Sequence, residues 1–307
     1  IKDASKVMAL IEKSPVVPET HVLLRGSAAS RGDEVRPAVP AVLGREAVAF
    51  PNPTGPTSLR RRTLAEWMAS PSNPLTWRVL ANRVWQHHFG AGLVATPSNF
   101  GFAGAKPTHP ELLDYLAAQL TANGGHLKPL HKLLLMSSTY RQASRAGDEG
   151  LGIDPENRLL WRMNPQRMEA EVLRDSMLAV SGNLNLKRGG PGIKPRIRTE
   201  LLDASQRNKW PVLASEGPEQ WRRSVYIYVK RQLLMPSLEL FDAPATTDSC
   251  ALRMQSTVPT QALVLMNDEF VEDQAAFLAR RAAREAGGDL SEVIGRLFRL
   301  SLSRPPT

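Results

Sequence analysis

Residues 74–90, PLTWRVLANRVWQHHFG, are the stretch that most clearly predicts the fold of this chain. The large apolar side chains recur every three or four residues, at Trp77, Leu80, Ala81, Val84 and Trp85. This spacing places them on one face of an α-helix. Asn73 and Pro74 supply a start signal, and Gly90 supplies a stop. The stretch therefore predicts an amphipathic helix with one face buried in a core.

Two adjacent histidines, His87 and His88, stand at the end of this predicted helix. Neighbouring helical residues point about 100° apart, so the two rings cannot readily share one metal ion. His88 falls on the apolar stripe, and we expect it to be largely buried and hydrogen-bonded. We expect His87 to be solvated near the negative C-terminus of the helix. The other histidines show no ligand spacing, and the sequence predicts no metal site.

Helical patterns continue along the chain, with four predicted helices between residues 58 and 143, one after Pro165 and two after residue 258. The stretch RRSVYIYVKR at 222–231 alternates aliphatic and tyrosine side chains, which is typical of a strand. We therefore predict a mainly α fold. It has a multi-helix core, a small β element around residues 222–231 and extended Pro-rich wrapping segments.

The domain organisation follows from these patterns. Residues 1–57 are predicted to be an extended, Pro-rich lead-in with one short helix near residues 4–12. Residues 58–307 are predicted to be one helical domain with a basic, Gly- and Pro-rich insertion at 183–221. The chain starts at Ile rather than Met, so we expect it to be a piece of a longer protein. No stretch approaches the roughly 18 apolar residues of a membrane-spanning helix.

The net charge of +9 is concentrated in one segment, because residues 187–231 contain 11 Lys and Arg against 4 Asp and Glu. Cations beside flat aromatic rings suit an acidic or sulfated polysaccharide, or single-stranded nucleic acid. The alternative is a surface loop whose arginines pair with acids and whose Trp residues lie in the core. The candidate binding residues are Lys194, Arg196, Arg198, Trp210, Trp221, Tyr226 and Tyr228.

A third candidate feature is the pair of carboxylates Glu171 and Asp175 on the helix pattern RMEAEVLRDSMLAV, residues 167–180. Asp175 falls on an otherwise apolar face, where an ionised carboxylate needs a partner. The nearby arginines that could pair with it are Arg162, Arg167 and Arg174. A structural ion-pair network is the first interpretation. The second is an enzyme that acts on polysaccharides through Glu171, Asp175 and His109, although no recognised catalytic motif is present.

Several ordered motifs resemble one family. They are NPLTWRVLANRVWQHHFGAGLVATPSNFG (73–101), PTHPELLDYLA (107–117), STYRQAS (138–144), DPENRLLWR (154–162), the Arg-x-x-Ala-Glu-x-x-Arg-Asp pattern (167–175), RRSVYIYVKR (222–231), LELFD (238–242) and STVPTQALVLMND (256–268). The chain resembles the planctomycete-specific domain of unknown function that commonly lies C-terminal to a cytochrome c-like module and a second domain of unknown function. The resemblance runs from about residue 21 to residue 306.

This resemblance implies a context rather than an activity, because the family has no established substrate or catalytic residues. Its members look like parts of large exported proteins, which implies the periplasm or the cell surface. Upstream domains of the same chain are the implied partners. The single Cys250 leaves no Cys-x-x-Cys-His, so no cofactor is expected here, and a c-type haem would belong to an upstream module. NRVWQHHFG then looks like a structural signature, with an axial-ligand role for His87 or His88 as the lesser alternative.

Together these observations predict an extracytoplasmic, non-catalytic module that binds a partner or an anionic polymer, an anionic polysaccharide above all. Nucleic acid fits the charge but conflicts with the implied exported location. An enzyme acting on polysaccharides is the alternative function.

Overall fold

The computed structural model of the protein describes residues 10–12, 14–43, 48–51, 55–145, 147–202, 209–231 and 233–307. The chain divides into two compact units, Ile1–Pro165 and Gln166–Thr307, where the sequence predicts one helical domain over 58–307. The short helix predicted near residues 4–12 falls outside the described residues, except for 10–12, which form no helix.

In its described residues, the first unit contains a short hairpin followed by five α-helices. Strands β1 (His21–Leu23) and β2 (Arg31–Glu34) pair antiparallel, with His21 opposite Glu34. The helices are α1 (Arg60–Ala69), α2 (Thr76–Phe89), α3 (Pro110–Ala122), α4 (Leu127–Leu135) and α5 (Asp148–Ile153).

Helix α2 is the centre of the first unit's core, as its sequence pattern predicts. The Asn73 side chain accepts hydrogen bonds from the backbone N–H groups of Leu75 and Thr76 at 3.0 and 3.1 Å, and Gly90 closes the helix at a φ of 82°. The buried side chains that form the core include Ala81, Trp85, Phe89, Leu113, Leu116, Leu120, Leu130 and Leu134. The predicted amphipathic helix is therefore confirmed.

The described part of the second unit also contains five α-helices, and they flank a long connection. They are α6 (Ala170–Ser181), α7 (Pro236–Leu240), α8 (Pro259–Asn267), α9 (Glu269–Glu285) and α10 (Leu290–Leu302). The connection between α6 and α7, residues 182–235, contains 3₁₀ turns at Thr199–Leu201 and Ser224–Tyr226 in its described part. Its shape therefore depends on contacts other than regular backbone ladders.

The mainly α fold with a small β element is confirmed, but the predicted strand at 222–231 does not form. The 3₁₀ turn Ser224–Tyr226 interrupts it, and only isolated bridges remain, such as the parallel bridge between Ile193 and Ile227. Because this turn breaks the period of two, Ile227 is buried while Val225 and Val229 are exposed. In the described residues, the paired strands lie instead in the hairpin of β1 and β2.

Candidate functional site

Arg222 fixes the path of the Gly- and Pro-rich part of the connection. Its side chain is buried, and its guanidinium donates hydrogen bonds to the backbone carbonyls of Lys187, Gly189 and Pro191. The guanidinium also lies 4.0 Å from the centre of the Tyr226 ring, and the Tyr226 hydroxyl accepts a hydrogen bond from the Gly189 N–H. The Tyr226 ring is therefore already in contact with a cation of the protein itself, the guanidinium of Arg222.

Arg174, on α6, binds a later part of the same connection, residues 220–224. It is 4% exposed, and it donates hydrogen bonds to the carbonyls of Gln220 and Arg222 at 2.8 and 3.2 Å and to the Ser224 hydroxyl at 3.3 Å. Burial lowers the pKa of this guanidinium, against the opposing effect of the Glu216 carboxylate. Arg174 thus binds two main-chain carbonyls and the Ser224 hydroxyl; the charge of Asp175 acts on it without a direct ion pair.

Four of the predicted binding residues take part in contacts within the second unit. Arg196 lies 2.9 Å from Asp273 and 3.4 Å from Glu269, and Arg198 lies 3.3 Å from Glu269. Trp210 is buried and donates its indole N–H to the Pro195 carbonyl at 2.8 Å. The half-buried Trp221 meets the edge of Phe277. At these positions the structure matches the alternative interpretation of paired arginines and core tryptophans.

Lys194 and Tyr228 differ from those four residues. The Lys194 ammonium lies 5.2 Å from the centre of the Tyr228 ring and 5.8 Å from that of Trp210, and Tyr228 is 48% exposed. Lys209 and Lys230 join this group, because desolvation and the positive charges of Lys209 and Lys194 hold the pKa of Lys230 below its usual value. We call Lys194, Lys209, Lys230 and Tyr228 the basic surface.

At two positions of the basic surface, the positive charge is not neutralised by an ion pair within the described residues. Within the described part of the chain, neither Lys194 nor Lys209 forms an ion pair with a carboxylate. Sequence reasoning missed Lys209 and Lys230 because they lie 15 and 36 positions after Lys194. The local sequence pattern also does not distinguish these lysines from Arg196 and Arg198, which form ion pairs.

A cleft of about 490 Å³ in the second unit contains the predicted carboxylates Glu171 and Asp175. Its aliphatic lining includes Val172, Val225, Ile227, Val229, Leu234 and Leu238. The charged lining residues are Glu169, Glu171, Asp175, Arg223 and Arg253. We call this feature the aliphatic cleft. The cleft and the basic surface are the two candidate sites.

The carboxylates of the aliphatic cleft pair with arginines that the sequence did not predict. Arg253 donates two hydrogen bonds to Glu171, at 2.6 and 3.1 Å. Asp175 accepts one from the Ser224 N–H at 2.6 Å and one from Arg223 at 3.3 Å. These partners lie 48 to 82 positions away along the chain, beyond any helical spacing.

None of the three arginines that the sequence offered as possible partners, Arg162, Arg167 and Arg174, forms the direct ion pair with Asp175 or Glu171. Arg167 pairs instead with Asp242 at 2.6 Å, and Arg162 belongs to the first unit. The sequence interpretation considered only arginines close in the sequence, and the fold uses those positions to bind the backbone and Asp242.

The carboxylates of the aliphatic cleft are each paired with an arginine. Burial raises the pKa of Glu171, but the hydrogen bond from Arg253, a backbone hydrogen bond at Glu171 and the positive charge of Arg253 together lower it by more, so the net pKa lies below the usual value. A lowered pKa favours the ionised form of Glu171, whereas a general acid needs the protonated form. His109 lies in the first unit, beside the Thr108 hydroxyl at 2.9 Å, and is not among the residues that line the cleft.

Of the two histidines of NRVWQHHFG, His87 is the more exposed, as predicted, but His88 is not largely buried as expected. His87 is exposed, whereas His88 is half-buried, with its Nε2 2.8 Å from Nδ1 of His131 on α4. Burial, His131 and His87 together lower the pKa of His88. The described residues contain no group of three or more His, Cys, Asp or Glu that could hold a metal ion. Nor do they contain a helix that is long and apolar enough to cross a membrane.

Comparison with protein families gives one match. The family model described as PSD1, protein of unknown function (DUF1553), matches residues 60–307. No curated protein matches the chain, and no solved structure does. The matched residues include α1 to α10 and therefore both candidate sites. Since the match covers most of the sequence, the chain belongs to the PSD1 family of proteins of unknown function (DUF1553).

Proposed function

We propose that this protein is a non-catalytic module that binds an anionic polymer through the basic surface. The observation that supports this is the grouping of Lys194, Lys209 and Lys230 beside the exposed ring of Tyr228. Like charges held close together repel each other, and an anion placed among them relieves that repulsion. A surface of this kind favours a ligand that carries several negative charges.

The ligand class follows from the shape and composition of this surface. A polymer with one carboxylate or sulfate per repeat can meet several ammonium groups at once, and the Tyr228 ring offers a flat face to a sugar ring. An acidic or sulfated polysaccharide provides both features. Single-stranded nucleic acid also provides both, but it does not fit the extracytoplasmic location that forms part of this proposal.

The proposal includes the context of the module. It places the chain in the periplasm or at the cell surface, as part of a larger protein with a cytochrome c-like module and further upstream domains. The support is the sequence resemblance and its ordered motifs. Fractionation of native cells tests this part: recovery of the protein with the cytoplasmic fraction contradicts it.

An enzyme that acts on polysaccharides is the alternative, and the structure offers it less support. Glycoside hydrolysis uses a carboxylic acid with a raised pKa opposite a second carboxylate. In the aliphatic cleft the pKa of Glu171 is lowered. No described residue that lines the cleft is aromatic, so a sugar ring has no stacking partner there.

The test compares two triple variants with the same change in net charge. Lys194→Gln, Lys209→Gln and Lys230→Gln together remove the cations of the basic surface. Lys106→Gln, Lys128→Gln and Lys132→Gln remove three exposed lysines of the first unit. We expect the first variant to bind a sulfated polysaccharide about ten- to 150-fold more weakly, since three exposed ion pairs are lost and each contributes roughly 0.5–1 kcal/mol. The control should change far less.

Two further measurements complete the test. Affinity of the unaltered protein should fall steeply with added salt, because exposed charges are screened within about 8 Å at physiological ionic strength. A neutral glucan of similar length should bind weakly. Equal losses in the two variants, or equal binding of the neutral glucan, contradict the proposal.

A further inference from the structure

We propose that the aliphatic cleft is a second binding site, for a small aliphatic amine that carries its positive charge at one end of a hydrocarbon chain. This site is separate from the basic surface and of opposite charge preference, so the inference does not depend on the proposed function. It rests on three observations: the volume of the cleft, its exposed aliphatic wall and the balance of its charged groups.

The volume and the wall indicate an apolar ligand body. The volume of about 490 Å³ lies within the range of about 300–1,000 Å³ that is typical of small-molecule sites. Val172, Val225 and Val229 line the cleft and are 48%, 73% and 56% exposed. Exposed aliphatic side chains gathered around one concavity are stabilised by a ligand that removes them from water.

The lining also excludes other ligand classes. No described lining residue is aromatic, and Ser224 and Thr246 are the neutral polar side chains among them. A sugar needs a ring face for stacking and many hydrogen-bond partners for its hydroxyl groups, and a planar aromatic ligand also gains from aromatic neighbours. An aliphatic chain needs neither and fits the valine and leucine walls.

The charges of the cleft select the head group. Three carboxylates face two guanidinium groups, which leaves a net charge of minus one. The guanidinium of Arg253 is bound to both oxygens of Glu171, and Arg223 contacts Asp175. Glu169 has the longest ion pair of the three, 3.5 Å to Arg253, and its side chain is 41% exposed. Its carboxylate is the acceptor best placed to bind an added ammonium group.

Glu169 occupies a favourable position for that role. It precedes the first residue of α6, so its carboxylate stands at the positive end of the helix. The ammonium group would contact Glu169 at the rim, and the hydrocarbon chain would lie along Val172, Val225 and Val229 toward Leu238. A fatty acid reverses this charge pattern and meets the three carboxylates instead.

The experiment titrates the whole chain with n-hexylammonium by isothermal calorimetry, with hexanoate and ammonium chloride as controls. A ligand of seven heavy atoms in a matching site is expected to bind with a Kd of about 1 mM or tighter. Hexanoate keeps the chain but reverses the charge, and ammonium keeps the charge but lacks the chain. Both controls should bind at least ten-fold more weakly.

Variants locate the binding. Glu169→Gln removes the charge and should weaken hexylammonium binding about five-fold, and Val225→Ser should weaken it two- to three-fold. The matched controls are Glu200→Gln and Val212→Ser, at an exposed acid and an exposed valine outside the cleft lining. Val225 is 73% exposed and the Glu169 side chain is 41% exposed, so neither change removes a core contact. Equal binding of hexanoate, or the same affinity in Glu169→Gln and Glu200→Gln, overturns the proposal.

Discussion

The helical core of the first unit and the long connection of the second unit are held together by different chemistry. In the core, buried apolar side chains such as Phe89, Leu116 and Leu120 pack against one another. In the connection, the buried arginines Arg174 and Arg222 bind backbone carbonyls of segments whose described residues form only isolated bridges and short 3₁₀ turns. The first arrangement tolerates changes that keep shape, whereas the second depends on the number and direction of donors.

Replacement of Arg174 is expected to have the largest effect on stability. Arg174→Met keeps an unbranched side chain but leaves two backbone carbonyls and the Ser224 hydroxyl without their donor. Because Arg222 and Ser224 are buried and the Glu216 carboxylate is half-buried, we expect the second unit to lose about 4 kcal/mol of unfolding free energy. Urea unfolding with hydrogen exchange resolved by peptide measures this loss and assigns it to a unit.

Two further variants sharpen this first prediction. Arg299→Met, at an exposed arginine of α10, is the control and should change stability by less than about 0.5 kcal/mol. Arg174→Lys keeps the charge but not the fork of donors, so it should recover little of the loss. Full recovery by Lys would show that charge, rather than donor geometry, holds the connection.

Leu120 tests the other side of the comparison. It is fully buried in the first core, and Leu120→Ala should reduce the unfolding free energy of the first unit by about 3 kcal/mol through lost burial and a cavity. Leu120→Met keeps most of the volume and should cost less than about 1.5 kcal/mol. An equal loss of unfolding free energy in Leu120→Met and Leu120→Ala would contradict the comparison. The core would then be as sensitive to a change that keeps side-chain volume as the connection is to a change of donors.

The smallest expected effect concerns His88 and pH. Burial, His131 and His87 place the pKa of folded His88 below its ordinary value of 6.5, so the folded state binds fewer protons than the unfolded state does. The stability that His88 contributes is therefore present above pH 6.5 and is lost as the pH falls through the lower, folded pKa. Unfolding of the first unit at pH 7.5 and 5.5 should show a smaller pH dependence in His88→Gln. An unchanged dependence contradicts this assignment.

The same comparison explains what the sequence predicted and what it did not. The period of α2, its Asn73 cap and the Gly90 stop are local signals, and all three appear in the structure. The strand predicted at 222–231 failed because alternation describes side chains only. Arg174, 50 positions from Ser224, fixes that turn through hydrogen bonds that no local pattern records.

The candidate sites divide in the same way. The sequence identified the segment that contains Lys194 and Tyr228, and it identified Glu171 and Asp175 as carboxylates in need of partners. It could not distinguish Lys194 from Arg196, because α9, which supplies Glu269 and Asp273, begins more than seventy positions later. The sequence likewise could not identify Arg253 as the partner of Glu171, since a long chain segment separates the two residues.

Hydrogen–deuterium exchange with a sulfated oligosaccharide tests the central claim, anion binding at the basic surface, most directly. The first unit carries 19 Lys and Arg against 13 Asp and Glu, and the second carries 20 against 17, so charge alone favours the first unit. Our account predicts slower exchange on ligand addition in peptides around Lys194, Lys209 and Tyr228–Lys230, and unchanged exchange in α2 to α4. Protection confined to the first unit would contradict it.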